Sequence, residues 1–154
     1  MPVAVIDVPQ GLGKEAKNRL HKEVFEAMHE AWLIPDTRVF LREFDREQST
    51  STDGVPGAPI RPVVGYEGPP LPLEVKQRLA RRVWKAIAEA YDLPRHTLSL
   101  PSGKTVSTQW VLQLFREYPL ETAALDDLMA FENPAVLEAM EAVQKATAGK
   151  RAGH

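Results

Sequence analysis

Residues 14–35, KEAKNRLHKEVFEAMHEAWLIP, and residues 73–94, LEVKQRLARRVWKAIAEAYDLP, decide the fold of this chain. Sliding the first segment by 59 positions onto the second gives 9 identities in 22 positions, where typical residue usage would give roughly two by chance. The identities include the closing prolines, Pro35 and Pro94. Because a fixed period in a sequence indicates a repeated structural unit, we predict that the chain contains one unit twice.

Each unit reads as strand, helix, strand. Apolar residues recur at three- and four-residue spacing in both segments, which predicts one buried face on each helix. They are Ala16, Leu20, Val24, Ala27 and Ala31 in the first helix and Val75, Leu79, Val83, Ala86 and Ala90 in the second. Apolar, β-branched or aromatic runs predict strands at residues 2–8, 37–45, 60–67 and 97–100, and each helix is expected to end at its proline.

The predicted fold class is α/β, more closely α+β. Right-handed crossovers put two β-α-β repeats into a four-stranded mixed sheet with both helices on one face. Residues 1–100 are expected to form this core, with residues 47–59 as an exposed loop rich in Ser, Thr, Gly and Pro. Residues 101–154 are predicted to be a helical extension that packs on the core or on a neighbouring subunit. Its helices are expected from Ser107 to Phe115, around Leu125 to Met129, and from Asn133 onward.

Two pairs of large aromatic residues lie beside the predicted helix faces. The members of each pair are seven residues apart: Phe25 with Trp32, and Trp84 with Tyr91. They either fill the seam between the two helices or form a subunit contact.

Composition excludes several functional classes. The 154 residues contain no cysteine, so a disulfide framework, a thiolate nucleophile and a cysteine metal site are ruled out. The net charge of −2 disfavours a nucleic-acid partner. No apolar run is long enough to span a membrane and no basic leader precedes the first strand, so a cytoplasmic location is expected.

The common cofactor and metal motifs are incomplete. The tripeptide Gly103-Lys104-Thr105 lacks the earlier glycine of a phosphate loop, because that position is Leu98. His21 and His29 are eight residues apart, too far for two metal ligands on one helix. We therefore expect neither a cofactor nor a bound metal.

The proline after Met1 is a candidate for proton transfer. Removal of an initiator methionine would leave Pro2 with a free secondary amine. An α-amino group titrates near pH 7.7–8.0, and desolvation or a neighbouring cation lowers that pKa further. Such a group is suited to acid–base catalysis at neutral pH. If Met1 is retained, the Pro2 nitrogen is an amide and this chemistry is impossible.

Together, the leading proline, glycine turn, helix, helix-ending proline and duplicated unit resemble the tautomerase superfamily. Residues 2–35 are similar to its 4-oxalocrotonate tautomerase members at positions that include Pro2, Gly11, Glu15, Leu20 and Pro35. The fused double-repeat length is similar to its cis-3-chloroacrylic acid dehalogenase members. The resemblance covers about residues 2–100.

The resemblance implies roles for four residues. Pro2 would be the catalytic base of a tautomerase, or the protonated acid of a dehalogenase or hydratase. Arg38 lies where the tautomerase members bind a carboxylate, and His29 lies where the dehalogenases have a site histidine. Glu117 matches their water-activating glutamate when a gap is opened.

Departures from the family pattern matter as much. Gly68 and Leu71 stand where the dehalogenases have two arginines, and Leu12 stands where the tautomerases have one. Carboxylate binding is therefore expected from Arg38, Arg42 or Arg61. The resemblance also suggests apolar walls from Phe40 and Trp110.

We therefore expect a cofactor-independent, homotrimeric enzyme that acts on a small carboxylate substrate. The expected reaction is the interconversion of the keto and enol forms of a 2-oxo acid, as in a tautomerase. One alternative is hydratase or dehalogenase activity on 3-substituted acrylates. The other is a non-catalytic binding or assembly protein on the same fold.

Overall fold

Two β-α-β units share one four-stranded sheet in this protein. A computed structural model describes residues 1–45, 47, 51–52, 54–56 and 61–152. Its elements are β1 (Val3–Pro9), α1 (Lys14–Trp32), β2 (Arg38–Phe44), β3 (Ser51–Thr52), β4 (Val55–Pro56), β5 (Val63–Gly68), α2 (Leu73–Ala90), β6 (His96–Ser99), β7 (Thr105–Thr108), β8 (Leu112–Glu117), a 3-10 turn (Leu120–Thr122), β9 (Ala124–Leu125), β10 (Leu128–Met129) and α3 (Pro134–Ala152).

The sheet has the strand order β2-β1-β5-β8. β1 is parallel to β2 and β5 is parallel to β8, whereas the two central strands are antiparallel, with Val5 opposite Gly65. An approximate two-fold axis through this central pair relates the two units. The predicted fold class is therefore confirmed.

The repeated helices bury the faces that their spacing predicts. The buried residues are Leu20, Val24, Ala27, Met28, Ala31 and Trp32 in α1 and Val75, Leu79, Val83, Ile87 and Ala88 in α2. The helices end before their prolines, at Trp32 and Ala90. Leu33 (φ 57°) and Asp92 (φ 46°) then turn the chain in the left-handed region, so the 59-residue repeat includes the turn that ends each helix.

The fourth strand of the sheet differs from the prediction. Residues 97–100 do not join the sheet, because His96–Ser99 pairs instead with Thr105–Thr108 in a β6–β7 hairpin. The fourth strand is Leu112–Glu117, in the region predicted to be a helix after Ser107. Its apolar residues fit a helical spacing, but pairing with β5 makes them alternate between the two faces of the sheet, so the helix prediction for Ser107–Phe115 was wrong.

The rest of the extension follows the prediction in part. The helix expected around Leu125 to Met129 is instead the β9–β10 hairpin, with Asp126 (φ 54°) in its turn. Adjacent aspartates favour such a turn over a helix. The last helix is confirmed as α3, where the Asn133 side chain accepts a hydrogen bond from the Ala135 N–H at 3.0 Å. Within the predicted loop 47–59, Ser51–Thr52 pairs with Val55–Pro56, and the other positions lie largely outside the described residues.

The aromatic pairs divide between core and surface. Trp32 is 2% exposed, and its Nε1 donates a hydrogen bond to the Pro69 carbonyl oxygen at 2.9 Å. Its ring lies against Gly68, where an added Cβ would come within 2.9 Å of Trp32 Cε2. Phe25, by contrast, is 41% exposed. Trp32 thus fills the space under β5 and accounts for the glycine at position 68.

We expect Gly68→Ala to lower the free energy of unfolding by about 1–3 kcal/mol, because the new methyl group must displace the Trp32 ring from a filled core. Gly65→Ala is the matched control: it lies in the same strand, where an added Cβ meets nothing within 4 Å. Urea unfolding of both variants measures the difference. Equal effects of the two substitutions would contradict the proposed packing.

Candidate active site at the start of the first strand

Pro2 lies immediately before the central strand β1 and is fully buried. Its carbonyl oxygen accepts a hydrogen bond from the Arg38 N–H at 3.0 Å, which joins it to the start of β2. Because β1 and β2 are parallel, position 2 and the loop before β2 lie at the same end of the sheet.

Met1 occupies the space in front of Pro2. It is 8% exposed, and its ammonium group donates a hydrogen bond to the Tyr118 hydroxyl at 3.2 Å. The same hydroxyl donates to the Met1 carbonyl oxygen at 3.0 Å. Tyr118 itself follows β8 and is tied to β5 through its N–H and the Gly68 carbonyl oxygen, 3.1 Å apart.

The surroundings act on the amine in opposite directions. Burial lowers the pKa of the Met1 amine, the charge of Asp36 opposes that shift, and Arg38 adds to it. Burial raises the pKa of the Tyr118 hydroxyl, as do the charges of Glu67 and Asp36. The pKa of the amine is therefore lowered, with burial as the largest cause, and the pKa of the phenol beside it is raised for the same reason.

Of the three arginines predicted to bind a carboxylate, Arg38 is the one at the same end of the sheet as Pro2. Its Nε and Nη2 donate to the two carboxylate oxygens of Asp36 at 3.1 and 3.0 Å. The Arg38 side chain is 56% exposed in that ion pair. A substrate carboxylate would have to compete with Asp36 for the guanidinium.

The other two predicted arginines lie elsewhere. Arg42 is four positions further along β2, where it binds Asp7 at 2.8 and 2.9 Å, about 13 Å from Arg38 at strand spacing. Arg61 precedes β5, whose direction is opposite to that of β1. It therefore lies at the far end of the central strand pair, about 20 Å from Pro2.

The predicted apolar walls also separate. Phe40 is 52% exposed on the sheet face that also carries Arg38, two residues further along β2. Trp110 lies beside Arg61, with the guanidinium carbon 4.2 Å from its ring centroid. Trp110 therefore belongs to the end of the sheet opposite Pro2.

His29 lies in the last turn of α1, at the same end of the fold as Pro2 but on the exposed side of the helix. Its ring stacks on Phe25 with the centroids 5.9 Å apart. In the described part of the chain, no hydrogen bond, ion pair or ring contact joins it to Pro2 or Tyr118. Its catalytic role stays a prediction.

Glu117 faces the start of α2. Its Oε1 accepts hydrogen bonds from Lys76 Nζ at 2.7 Å and from the Leu71 N–H at 3.1 Å. The Lys76 bond is the largest cause of the lowered pKa of this carboxyl group. As bonded here, Glu117 orders the turn that leads into α2, and its role in activating water stays a prediction.

Tyr118 and Asp36 are the residues of this group that the sequence did not reveal. Each is adjacent to a residue singled out there, Glu117 and Pro35. Neither position carries a motif, and 117 residues separate Tyr118 from Met1. Only the pairing of β8 with β5 brings the hydroxyl to the amine.

Across residues 1–45, 47, 51–52, 54–56 and 61–152, no three His, Asp or Glu side chains are grouped so that they could hold a metal ion. None of the helices in the same ranges is both long enough and apolar enough to cross a membrane.

Comparisons with known proteins rest on structure, because neither a protein-family model nor a curated protein matches this sequence. Native fused 4-OT has a TM-score of 0.68 and 18% identity, over 84% of this chain and 97% of that chain. Pt0534 inactivated by 2-oxo-3-pentynoate has a TM-score of 0.65 and 15% identity, over 82% and 94% of the two chains. Malonate semialdehyde decarboxylase has a TM-score of 0.57 and 13% identity, over 80% and 90%. This chain therefore shares the two-unit fold of the fused 4-OT structures, which is the fold that the sequence resemblance implied.

Proposed function

We propose that this protein is a cofactor-independent enzyme that uses the Pro2 amine, freed by removal of Met1, to move a proton on a small 2-oxo carboxylate. The observation that carries the proposal is the burial of Met1 in front of Pro2. Removing that residue would open a space of methionine size, with the new amine at its base and the Tyr118 hydroxyl on its wall.

The electrostatics support a proton-transfer role. The free amine of a processed chain would be that of Pro2, the residue next to the present amine. Burial is the largest cause of the lowered pKa of the Met1 amine, the Asp36 charge opposes this shift and Arg38 adds to it. We expect the Pro2 amine to respond to the same charged groups. In a keto–enol interconversion, the neutral amine would take a proton from the enol oxygen or from carbon, and the ammonium ion would return it.

Arg38 is the proposed carboxylate ligand. A planar guanidinium can bind a carboxylate with two parallel hydrogen bonds. It already does so with Asp36, so a substrate would replace one carboxylate by another with little change in geometry. The roles of His29 and Glu117 are left as predictions because neither contacts this group in the described residues.

Two alternatives to the proposed tautomerase activity each rest on a specific observation. A hydratase-like reaction would need the ammonium form as an acid, and the Asp36 charge favours that form. Malonate semialdehyde decarboxylase, which shares the fold, has both decarboxylase and hydratase activities. A non-catalytic role would follow if Met1 is retained, because its carbonyl group then makes Pro2 an amide.

Intact mass and enzyme kinetics together test the proposed role of the Pro2 amine. We expect purified protein to be lighter than the full sequence by one methionine residue, by intact mass spectrometry. We expect Pro2→Ala to lower kcat for ketonisation of phenylenolpyruvate or 2-hydroxymuconate by about 10²-fold or more, the usual range for a lost acid–base group. A protein that retains Met1, or equal activity of the wild-type protein and Pro2→Ala, would contradict the proposal that this protein is an enzyme.

A second test of that role uses the charge of Asp36. Since that charge raises the pKa of the amine, Asp36→Asn should lower it. If the neutral amine is the base, the acidic limb of kcat/KM against pH should then move to lower pH. Asp7→Asn is the control, because Asp7 pairs in the same way with an arginine, Arg42, but four positions further along the β1–β2 pair from Arg38. A limb that moves equally in both variants argues against the proposed role. If kcat/KM instead falls as the pH rises past the pKa of the amine, the ammonium form is the active one, which would favour the hydratase alternative.

The open face of the sheet supports assembly into a homotrimer. The face turned away from α1 and α2 is mainly apolar at its centre: Val3, Val5, Phe40, Val63, Leu112 and Leu114. The ion pairs Asp7–Arg42 and Glu67–Arg116 flank it. Fused 4-OT structures described as symmetric and asymmetric trimers share the fold. We propose that this face is the subunit interface.

We expect Phe40→Glu to shift the protein from trimer to monomer, because a charge would be buried at the interface. Phe25→Glu, on the exposed side of α1, should leave the trimer intact. Light scattering after size-exclusion chromatography measures both masses. A monomeric wild-type protein, or equal dissociation of the variants, would exclude this interface.

A further inference from the structure

We propose a second, non-catalytic binding site for a small carboxylate at Arg61, Trp110 and His96, at the end of the sheet opposite Pro2. It goes beyond the proposed function because its residues lie about 20 Å from the Pro2 amine. It neither needs that amine nor takes part in proton transfer.

The internal two-fold axis makes this position the counterpart of the first. Pro62, like Pro2, is buried and immediately precedes a central strand. The Pro62 carbonyl oxygen accepts a hydrogen bond from the Leu112 N–H at 3.0 Å. Pro2 accepts one from Arg38 at the same distance. Arg61 therefore stands in the second unit where Met1 stands in the first.

Chemistry differs between the two ends although the backbone is the same. Pro62 is inside the chain, so its nitrogen is an amide and cannot accept a proton. The group in front of it is the permanent cation of Arg61. A site of this kind can bind an anion but cannot exchange a proton with it.

No carboxylate among the described residues pairs with the Arg61 guanidinium. Of the two half-buried arginines in the described residues, Arg82 pairs with Glu23, Glu26 and Glu30. Arg61 makes no ion pair there, and its Nε is buried without a hydrogen-bond acceptor. A partly desolvated cation without a carboxylate favours an anionic ligand.

Trp110 holds this cation in one orientation. The guanidinium carbon lies 4.2 Å from the indole centroid, which is a cation–π contact. Trp110 has a φ of 57°, a conformation that is rare for a bulky residue and that clusters at binding sites. The backbone N–H of Trp110 donates a hydrogen bond to the Thr108 hydroxyl oxygen at 3.2 Å. The neighbouring Gln109 side chain donates one to the Leu93 carbonyl oxygen at 2.8 Å.

The surrounding segment is positively charged. Residues 93–111 carry Arg95, His96 and Lys104 and no Asp or Glu. The His96 ring lies 6.4 Å from the Trp110 ring, centroid to centroid. This segment contains the β6–β7 hairpin, inserted between α2 and β8, whereas only residues 33–37 join α1 to β2. The insertion thus adds to the second unit both the aromatic platform and an acid-free rim.

A carboxylate is the anion that suits this arrangement. With one face against the indole and Nε closed off, the guanidinium presents its two terminal nitrogens. Their spacing matches the two oxygens of a planar carboxylate. His96 lies close enough to Trp110 to offer a further donor beside the ligand.

The test is an NMR titration of the full ¹⁵N-labelled chain. Acetate and malonate are added at constant ionic strength, with chloride as the reference, and the Trp110 indole N–H is assigned from Trp110→Phe. We expect a saturable shift of this signal, with little change in that of Trp84. Arg61→Gln should weaken apparent binding about tenfold or more, the value of a charge-assisted hydrogen bond.

Controls separate this site from general charge and from the proposed enzyme. Arg81→Gln removes the same charge from the exposed side of α2, outside the proposed site, and should bind normally; Arg61→Lys keeps the charge and should still bind more weakly. Binding should survive in Pro2→Ala, whatever that variant does to turnover. Equal shifts with chloride, equal losses in Arg61→Gln and Arg81→Gln, or loss of binding in Pro2→Ala would overturn the proposal. Tighter binding of inorganic phosphate than of acetate would overturn its assignment to a carboxylate.

Discussion

The antiparallel pairing of β1 with β5 is the contact on which the rest of this structure depends. It joins the two β-α-β units edge to edge, with Val5 opposite Gly65 near the axis that relates them. Each unit alone has only one parallel strand pair and one helix, which is too little to enclose a core. Pairing the central strands places α1 and α2 side by side on one face and leaves the other face open. It also sends the start of each central strand to an opposite end of the sheet.

That geometry gives the molecule two similar ends with different chemistry. At one end, the first residues of the chain meet Tyr118, Asp36 and Arg38, and the surroundings destabilise a charged amine. At the other, Arg61 carries a charge that cannot be removed and lies over an indole. The same backbone hydrogen bond from the outer strand fixes the proline at each end. The proposed division between a reacting end and a binding end therefore follows from which residue precedes each proline.

The repeat was readable from the sequence because it is carried by helices, whose apolar spacing is local. The 59-residue shift identified both helices and their ends, and apolar, β-branched or aromatic runs identified the first three strands of the sheet. The fourth strand could not be identified in this way. The residues from Leu112 to Glu117 suit a helix as well as a strand, and only pairing with β5 decides between them. Residues 97–100 have the composition of a strand, but they found a nearer partner in β7.

The candidate site was predictable only where the chain itself brings residues close. Pro2 and Arg38 were recognised because the resemblance placed them, and the β1–β2 register joins them. Tyr118 could not be recognised, since its contact with Met1 requires β8 to lie two strands away from β1. Arg61 and Trp110 were recognised as single residues and expected near Pro2, whereas the register of the antiparallel pair places them at the opposite end of the sheet. The sequence thus indicated which side chains could bind a carboxylate, but it did not indicate at which end of the sheet each of them lies.

The contact between Trp32 and Gly68 restricts how this chain can change during evolution. The indole fills the space that any side chain at position 68 would need. A large or charged residue there is compatible with the fold only after position 32 has become smaller. Replacing Trp32 first would leave an unfilled space and a Pro69 carbonyl oxygen without its donor. The two positions are therefore epistatic: each single step is costly, and the order of substitutions decides which neighbouring sequences are reachable.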